Sequence, residues 1–81
     1  MNKTLIYAAG IGQAFWKLPT DAQESLTRKL YQYGLTGEGD VKRLVGSKLK
    51  RLRDGDYRVV FEETSTTLTI VTVAHRRSVY R

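Results

Sequence analysis

The dipeptide Asp54-Gly55, with Asp56 behind it, constrains the fold more than any other feature of the chain. Both residue types tolerate the positive φ of a two-residue hairpin loop. Here they separate two β-prone runs, Leu49 to Arg53 and Tyr57 to Glu63. A third run, Leu68 to His75, follows the polar stretch Thr64 to Thr67. Three strands joined by such short turns are expected to form an antiparallel meander. Side chains alternate between the faces of a strand. Tyr57, Val59 and Phe61 therefore share one face, and Arg58, Val60 and Glu62 the other. Leu49, Arg51 and Arg53 alternate with Lys50 and Leu52. In the last run Leu68, Ile70, Thr72, Ala74 and Arg76 alternate with Thr69, Val71, Val73 and His75. Arginines on neighbouring strands can in this way converge on one surface.

The first half reads differently. Thr4 to Tyr7 is a short β-prone run, and Ala8 to Lys17 is expected to be a helix with Ile11, Phe15 and Leu18 as its buried stripe. Trp16, beside Phe15, reads as part of the core rather than as a stacking residue. Pro19 breaks this helix. A second helix starts with Thr20 as its cap and Gln23 as the far half of a capping box. Ala22, Leu26, Leu30 and Tyr33 line one of its faces, and Gly34 supplies the stop. The glycine-rich connection from Leu35 to Ser47 holds a weak helical turn at Asp40 to Leu44. No repeat or linker divides the chain, so residues 1–81 are read as one α+β domain. Two helices would pack on one face of the sheet and leave the other open.

Composition narrows the function classes. With no cysteine, one histidine and no paired carboxylates, neither a metal centre nor a cofactor is expected. The longest apolar stretch, Leu5 to Gly12, is too short to cross a bilayer and no cleavable leader is evident. A soluble cytoplasmic protein without a membrane partner is the expectation. Residues 1–40 carry four cations and four anions, so the whole excess of +6 lies in residues 41–81. Charge concentrated in this way attracts polyanions by counterion release. An acidic protein partner, or a solvated basic face without a partner, would use the same surface.

Two segments resemble a known family. Leu52-Arg53-Asp54-Gly55-Asp56-Tyr57-Arg58-Val59-Val60-Phe61 is similar to the central strand motif of RelE/ParE toxins. Val73-Ala74-His75-Arg76-Arg77-Ser78-Val79-Tyr80-Arg81 is similar to their C-terminal motif. Asp40 to Gly46 resembles the approach to the sheet, and Leu18-Pro19 the break between the helices. The resemblance covers nearly the whole chain in the same element order. It implies a microbial RNase-like α+β fold and the toxin role in a type II toxin–antitoxin pair. The partner it implies is a cognate antitoxin that wraps the toxin, through which the complex would bind operator DNA. The RelE branch implies cleavage of mRNA at the ribosome, and the ParE branch inhibition of DNA gyrase on nearly the same fold. Tyr80 favours the RelE branch, because the gyrase-poisoning branch generally lacks that tyrosine. A module that binds RNA or the antitoxin without catalysis is a third reading.

Metal-free RNA cleavage needs a base for the ribose 2′-hydroxyl, positive charge for the phosphorane and a proton for the leaving oxygen. Arg58 is the first candidate to grip the scissile phosphate, since a guanidinium offers two parallel donors. A cross-strand carboxylate partner such as Glu62 is its structural alternative. The resemblance implies that Arg76 stabilises the phosphorane or leaving group. Arg51 stands where the RelE pattern places a catalytic lysine, and a second lysine of that pattern falls on Leu49, which cannot serve. His75 and Tyr80 compete as base. Histidine is the better base near neutrality, but His75 alternates with the buried-type Val71 and Val73, so a structural role stands beside the catalytic one. Tyr80 could equally be an apolar anchor for the terminus. Lys42, Arg43, Lys48, Lys50, Arg53, Arg77 and Arg81 are expected to contact RNA phosphates, which position a nucleic acid without reading its sequence.

Overall fold

The computed structural model describes residues 3–76 and, in backbone, 78–80. The element order is β1 (Thr4–Tyr7), α1 (Ile11–Trp16), α2 (Thr20–Thr36), β2 (Val41–Arg43), β3 (Leu49–Asp54), β4 (Tyr57–Glu63), β5 (Thr67–His75) and β6 (Ser78–Tyr80). The expected meander forms, with β3, β4 and β5 antiparallel in sequence. The sheet order is β1-β5-β4-β3-β2, with β6 also paired to β5. β1 lies parallel to the first half of β5, Thr4 opposite Thr67, and β6 lies antiparallel to its second half, Tyr80 opposite Val73 in the backbone register. Among the described residues no helix is long and apolar enough to cross a membrane.

Both helices pack on one face of this sheet. Their periodic apolar positions, Ile11, Phe15 and Leu18 with Ala22, Leu26, Leu30 and Tyr33, meet Leu52, Val59, Phe61, Leu68, Ile70 and Val73 in a single core. Leu26, Leu30, Val59, Phe61, Leu68, Ile70 and Val73 are fully buried there. Truncating a buried phenylalanine such as Phe61 costs about 3–5 kcal/mol in such a setting.

The structure corrects several local expectations. The first helix begins at Ile11, not Ala8, because Gly10 at φ 81° turns the chain into it. Trp16 leaves the core, with 76% of its surface exposed, since Ile11, Ala14 and Phe15 already fill the buried side of this short helix. Thr20 is the first helical residue, not the cap; Pro19 occupies the cap position without a side-chain hydrogen bond. Gln23 works on the preceding helix instead, its amide donating to the Trp16 and Leu18 carbonyls at 3.0 and 2.8 Å. The second helix passes through Gly34 and ends at Thr36, where Gly37 at φ 76° donates its N–H to the Tyr33 carbonyl. Gly34 is buried against Lys3 and Leu68. The weak turn expected at Asp40 to Leu44 is the edge strand β2, held by its antiparallel backbone ladder with β3 from Val41 opposite Leu52 to Arg43 opposite Lys50.

Two corrections concern the hairpins. Only Gly55 takes a positive φ, 59°, in the β3–β4 loop, and Asp54 stays on its strand. A single positive φ at the first loop position is the type II′ pattern. In β5 the pairing with β4 slips: Val60 is opposite Thr72 but Phe61 is opposite Ile70, so Val71 has no partner in the register. This bulge moves every following residue to the other face. Leu68, Ile70 and Val73 therefore all reach the core, which strict alternation forbids.

Candidate nucleic-acid interface

The face of the sheet turned away from the helices is built by β2, β3 and β4. Leu52 is buried under the helices, so the flanking Arg51 and Arg53 point to the open side. By the same alternation Val59 sends Arg58 there, and Lys42 follows from its place opposite Arg51. The register sets Arg53 directly across from Arg58 and Arg51 across from Val60. Two guanidinium-bearing residues are thus opposed on adjacent strands with Arg51 two positions along. Like charges in that arrangement are mutually destabilising, by about 0.2–1 kcal/mol per pair.

Little within the protein offsets this. Among the described residues, none of Lys42, Arg51, Arg53 and Arg58 takes part in an ion pair. Glu62, the structural alternative as partner for Arg58, is set opposite Leu49, four positions along β4. Arg53 Nε makes a long contact of 3.5 Å to the Gly55 carbonyl. Among the described residues, Arg51 Nε is buried without a hydrogen-bond partner. A buried unsatisfied donor costs about 1–3 kcal/mol, which an acceptor reaching it would recover.

Arg76 follows β5 at the same end of the sheet as Arg53 and Arg58. Its N–H donates to the Asp56 carbonyl at 2.8 Å, and its Nε lies 3.6 Å from an Asp56 carboxylate oxygen. Both side chains are more than half exposed, so this pair gives way easily to a stronger anion. His75 does not join the arginines. The bulge in β5 leaves it on the face of Val73, opposite Tyr57, with the two rings edge to face at 5.1 Å. The side chain of Tyr80, together with Arg77 and Arg81, lies outside the described residues.

The remaining basic candidates separate. Lys42 belongs to the arginine face, while Lys48 is exposed in the loop before β3. Arg43 is across from Lys50 on the helix side, and its Nε donates to the Ser47 carbonyl at 3.1 Å. Lys50 is committed to structure: its ammonium donates to Glu63 at 2.7 Å and to the Tyr33 hydroxyl at 3.1 Å. Glu63 also receives Lys3 and, at 2.7 Å, the Tyr33 hydroxyl. Burial alone would push the Glu63 carboxyl up, but these three donors hold it at about 2. Asp54, which the sequence suggested only as a turn residue, accepts from Ser25 at 2.6 Å and Lys29 at 2.8 Å and ties α2 to the β3–β4 hairpin. Burial opposes its ionisation, yet those two donors keep its pKa below the ordinary value.

A small α+β domain that covers one sheet face with two helices and leaves an arginine-bearing face bare defines a class of fold, and it is the fold of RelE toxins. The chain is similar to one in the RelB–RelE antitoxin–toxin complex of Methanococcus jannaschii, with a TM-score of 0.73, 19% identity, and coverage of 89% of this chain and 91% of that one. It is similar to one in the toxin–antitoxin complex RelBE2 of Mycobacterium tuberculosis, with 0.75, 20%, 94% and 100% respectively. A third likeness is to the archaeal RelE–RelB complex of Pyrococcus horikoshii OT3, with 0.76, 21%, 94% and 97%. At these identities the likeness is one of fold. No family model and no curated protein matches the chain.

Proposed function

We propose that the chain is the toxin of a toxin–antitoxin pair and acts in the cytoplasm as a metal-independent endoribonuclease on mRNA in the ribosome. The observation that carries this reading is the bare arginine face, with Arg53 opposed to Arg58 and the Arg51 Nε buried without an acceptor. A phosphodiester supplies both the charge and the acceptor oxygens that such a face lacks.

In the reaction, the ribose 2′-oxygen bonds to phosphorus and the bond from phosphorus to the 5′-oxygen breaks. The 2′-hydroxyl gives up its proton and the departing oxygen gains one, leaving a cyclic phosphate and a free 5′-hydroxyl. Arg58 and Arg51 hold the phosphate oxygens, whose negative charge grows in the phosphorane, and donors fixed in place before the reaction need no reorganisation. Arg76 neutralises the leaving oxygen. His75 is assigned no proton, because it stands on the opposite face. Lys42 and Arg53 hold flanking phosphates. Ribosomal positioning of the message supplies part of the rate, since electrostatic stabilisation here outweighs acid–base chemistry. A cognate antitoxin would inhibit by laying an acidic segment over the same face, neutralising Arg58 and Arg76.

The test is induction of the wild type beside Arg58→Ala and Arg76→Ala, followed by growth and by mapping of mRNA ends. Arrest with cuts inside translated messages, both lost in the variants, is the expected result. Arrest with intact messages and DNA damage signalling would transfer the reading to gyrase inhibition. Unchanged growth would leave a binding module.

A further inference from the structure

The helix side of the molecule carries an apolar cleft that the proposed reaction does not use. It is an open groove of about 420 Å³ between Tyr7 and Trp16 on one side and Glu24 and Arg28 of α2 on the other. Trp16 is 76% exposed at its rim, an unusual position for the chain's one tryptophan. Along α2 the stripe continues: Glu24, Arg28, Tyr31 and Leu35 follow at helical spacing, and Tyr31 and Leu35 are about half exposed. Glu24 and Arg28 belong to this stripe and also line the cleft, so the two are continuous.

The charges on this surface differ in kind from those on the sheet. The excess of +6 belongs to residues 41–81, whereas the stripe holds one anion and one cation. Among the described residues Glu24 and Arg28 are not paired with each other. They are one helical turn apart, about 6 Å along the axis. Such a pair is complementary to itself when a second helix runs past it in the opposite direction. An acidic segment would find no surplus of positive charge here, and neither would an anionic membrane.

We propose that two copies of the chain associate through this stripe, antiparallel about a two-fold axis that crosses α2 midway between Glu24 and Arg28. Glu24 of each copy then meets Arg28 of the other, twice over, as an isologous interface requires. Trp16 lines the same cleft as Glu24 and Arg28, its carbonyl held by Gln23 at 3.0 Å. The two-fold therefore brings the tryptophan of each copy close to the Glu24 and Arg28 pair of the other. A large aromatic anchor beside complementary charges is the usual composition of an interface centre. The basic sheet faces point away from one another in this dimer, which leaves both open to nucleic acid and keeps their mutual repulsion screened at physiological salt.

Sedimentation equilibrium of the purified chain from about 5 to 500 µM at physiological salt tests the proposal, because interfaces at the small end of the range associate in the micromolar regime. A reversible monomer–dimer equilibrium is expected. Trp16→Ala should weaken it at least tenfold. Glu24→Arg and Arg28→Glu should each weaken it several-fold, since each sets like charges opposite one another at two symmetric places. The double change Glu24→Arg with Arg28→Glu should return it to within about twofold of the wild type. All three positions are exposed, and unchanged circular dichroism would verify the fold of each variant. A chain that stays monomeric throughout, a dimer indifferent to Trp16→Ala, or single reversals not rescued by the double change would overturn the proposal.

Discussion

Replacing Arg51 by methionine should make the free protein more stable, although it removes a site residue. The Arg51 Nε is buried without a partner, and removing a buried unsatisfied N–H recovers about 1–3 kcal/mol. The lower end applies, because Arg51 as a whole is only half-buried. Methionine keeps an unbranched apolar stem in the same place, so the packing that the arginine methylenes provide is retained. Relief of the repulsion from Lys42, directly opposite on β2, adds about 0.2–1 kcal/mol. The net expectation is a gain of about 1–2 kcal/mol, well outside the ±0.5 kcal/mol usual for surface changes. For a domain of this size that is a rise in Tm of roughly 5–12 °C. Thermal unfolding followed by circular dichroism in a non-coordinating buffer reads it directly. Inorganic phosphate should then stabilise the wild type more than the variant, because only the wild type offers the phosphate a waiting donor. If Arg51→Met melts at or below the wild type, the guanidinium is satisfied within the free protein. The argument that this face is built to take an anion would then fail.

Acid should unfold the protein partly through Glu63. Its carboxyl falls from an ordinary 4.5 to about 2 in the folded state, so its contribution is complete above pH 4.5 and lost as pH falls towards 2. With a side chain 20% exposed the contribution is about 2 kcal/mol, and the urea midpoint of Glu63→Gln should fall less between pH 6 and pH 2.5 than that of the wild type. Equal slopes for the two proteins would refute this. Gly34 within α2 and Gly37 just past its end should respond in opposite directions to alanine. Gly34→Ala should stabilise by about 1 kcal/mol, because the new methyl meets Lys3 and Leu68 at ordinary contact distances of 3.5 and 3.7 Å. Gly37→Ala should destabilise by about 1 kcal/mol, because its φ of 76° strains any residue with a Cβ. Urea midpoints of the two variants measure both effects.

The elements legible in the sequence are those whose signal is local. Apolar periodicity marked the buried faces of both helices, and the Asp-Gly turn marked the hairpin on which Arg51, Arg53 and Arg58 share a face. What stayed hidden depends on partners distant in the chain. β2 is three residues long with two of them basic, and only its pairing with β3 makes it a strand. The parallel docking of β1 spans the whole domain, from Thr4 to Thr67, and no turn announces it. Lys50 looked like one more phosphate contact, but Glu63 and Tyr33 reach it from another strand and from α2. Trp16 was read as core because tryptophan is apolar, whereas a helix of six residues buries only one side. For the site, the arginine pattern was visible because β3 and β4 alternate regularly. His75 was placed beside Val73 correctly, but the bulge that also sends Leu68 and Ile70 to that face leaves no mark in the composition.

That bulge gives the last third of the chain a phase, in the sense that a reading frame has one. Val71 is the single residue by which β5 gets ahead of β4, and everything after it inherits the offset. Deleting Val71 would remove the bulge and leave Ile70 and Val73 two positions apart on a regular strand, where both still face the core. Thr72, Val73 and Ala74 would keep Val60, Val59 and Arg58 as their partners, and β6 its register with the end of β5. The bulge is therefore a place where the strand can lose a residue without turning a side chain to the other face, whereas the alternation on either side of it has no such slack.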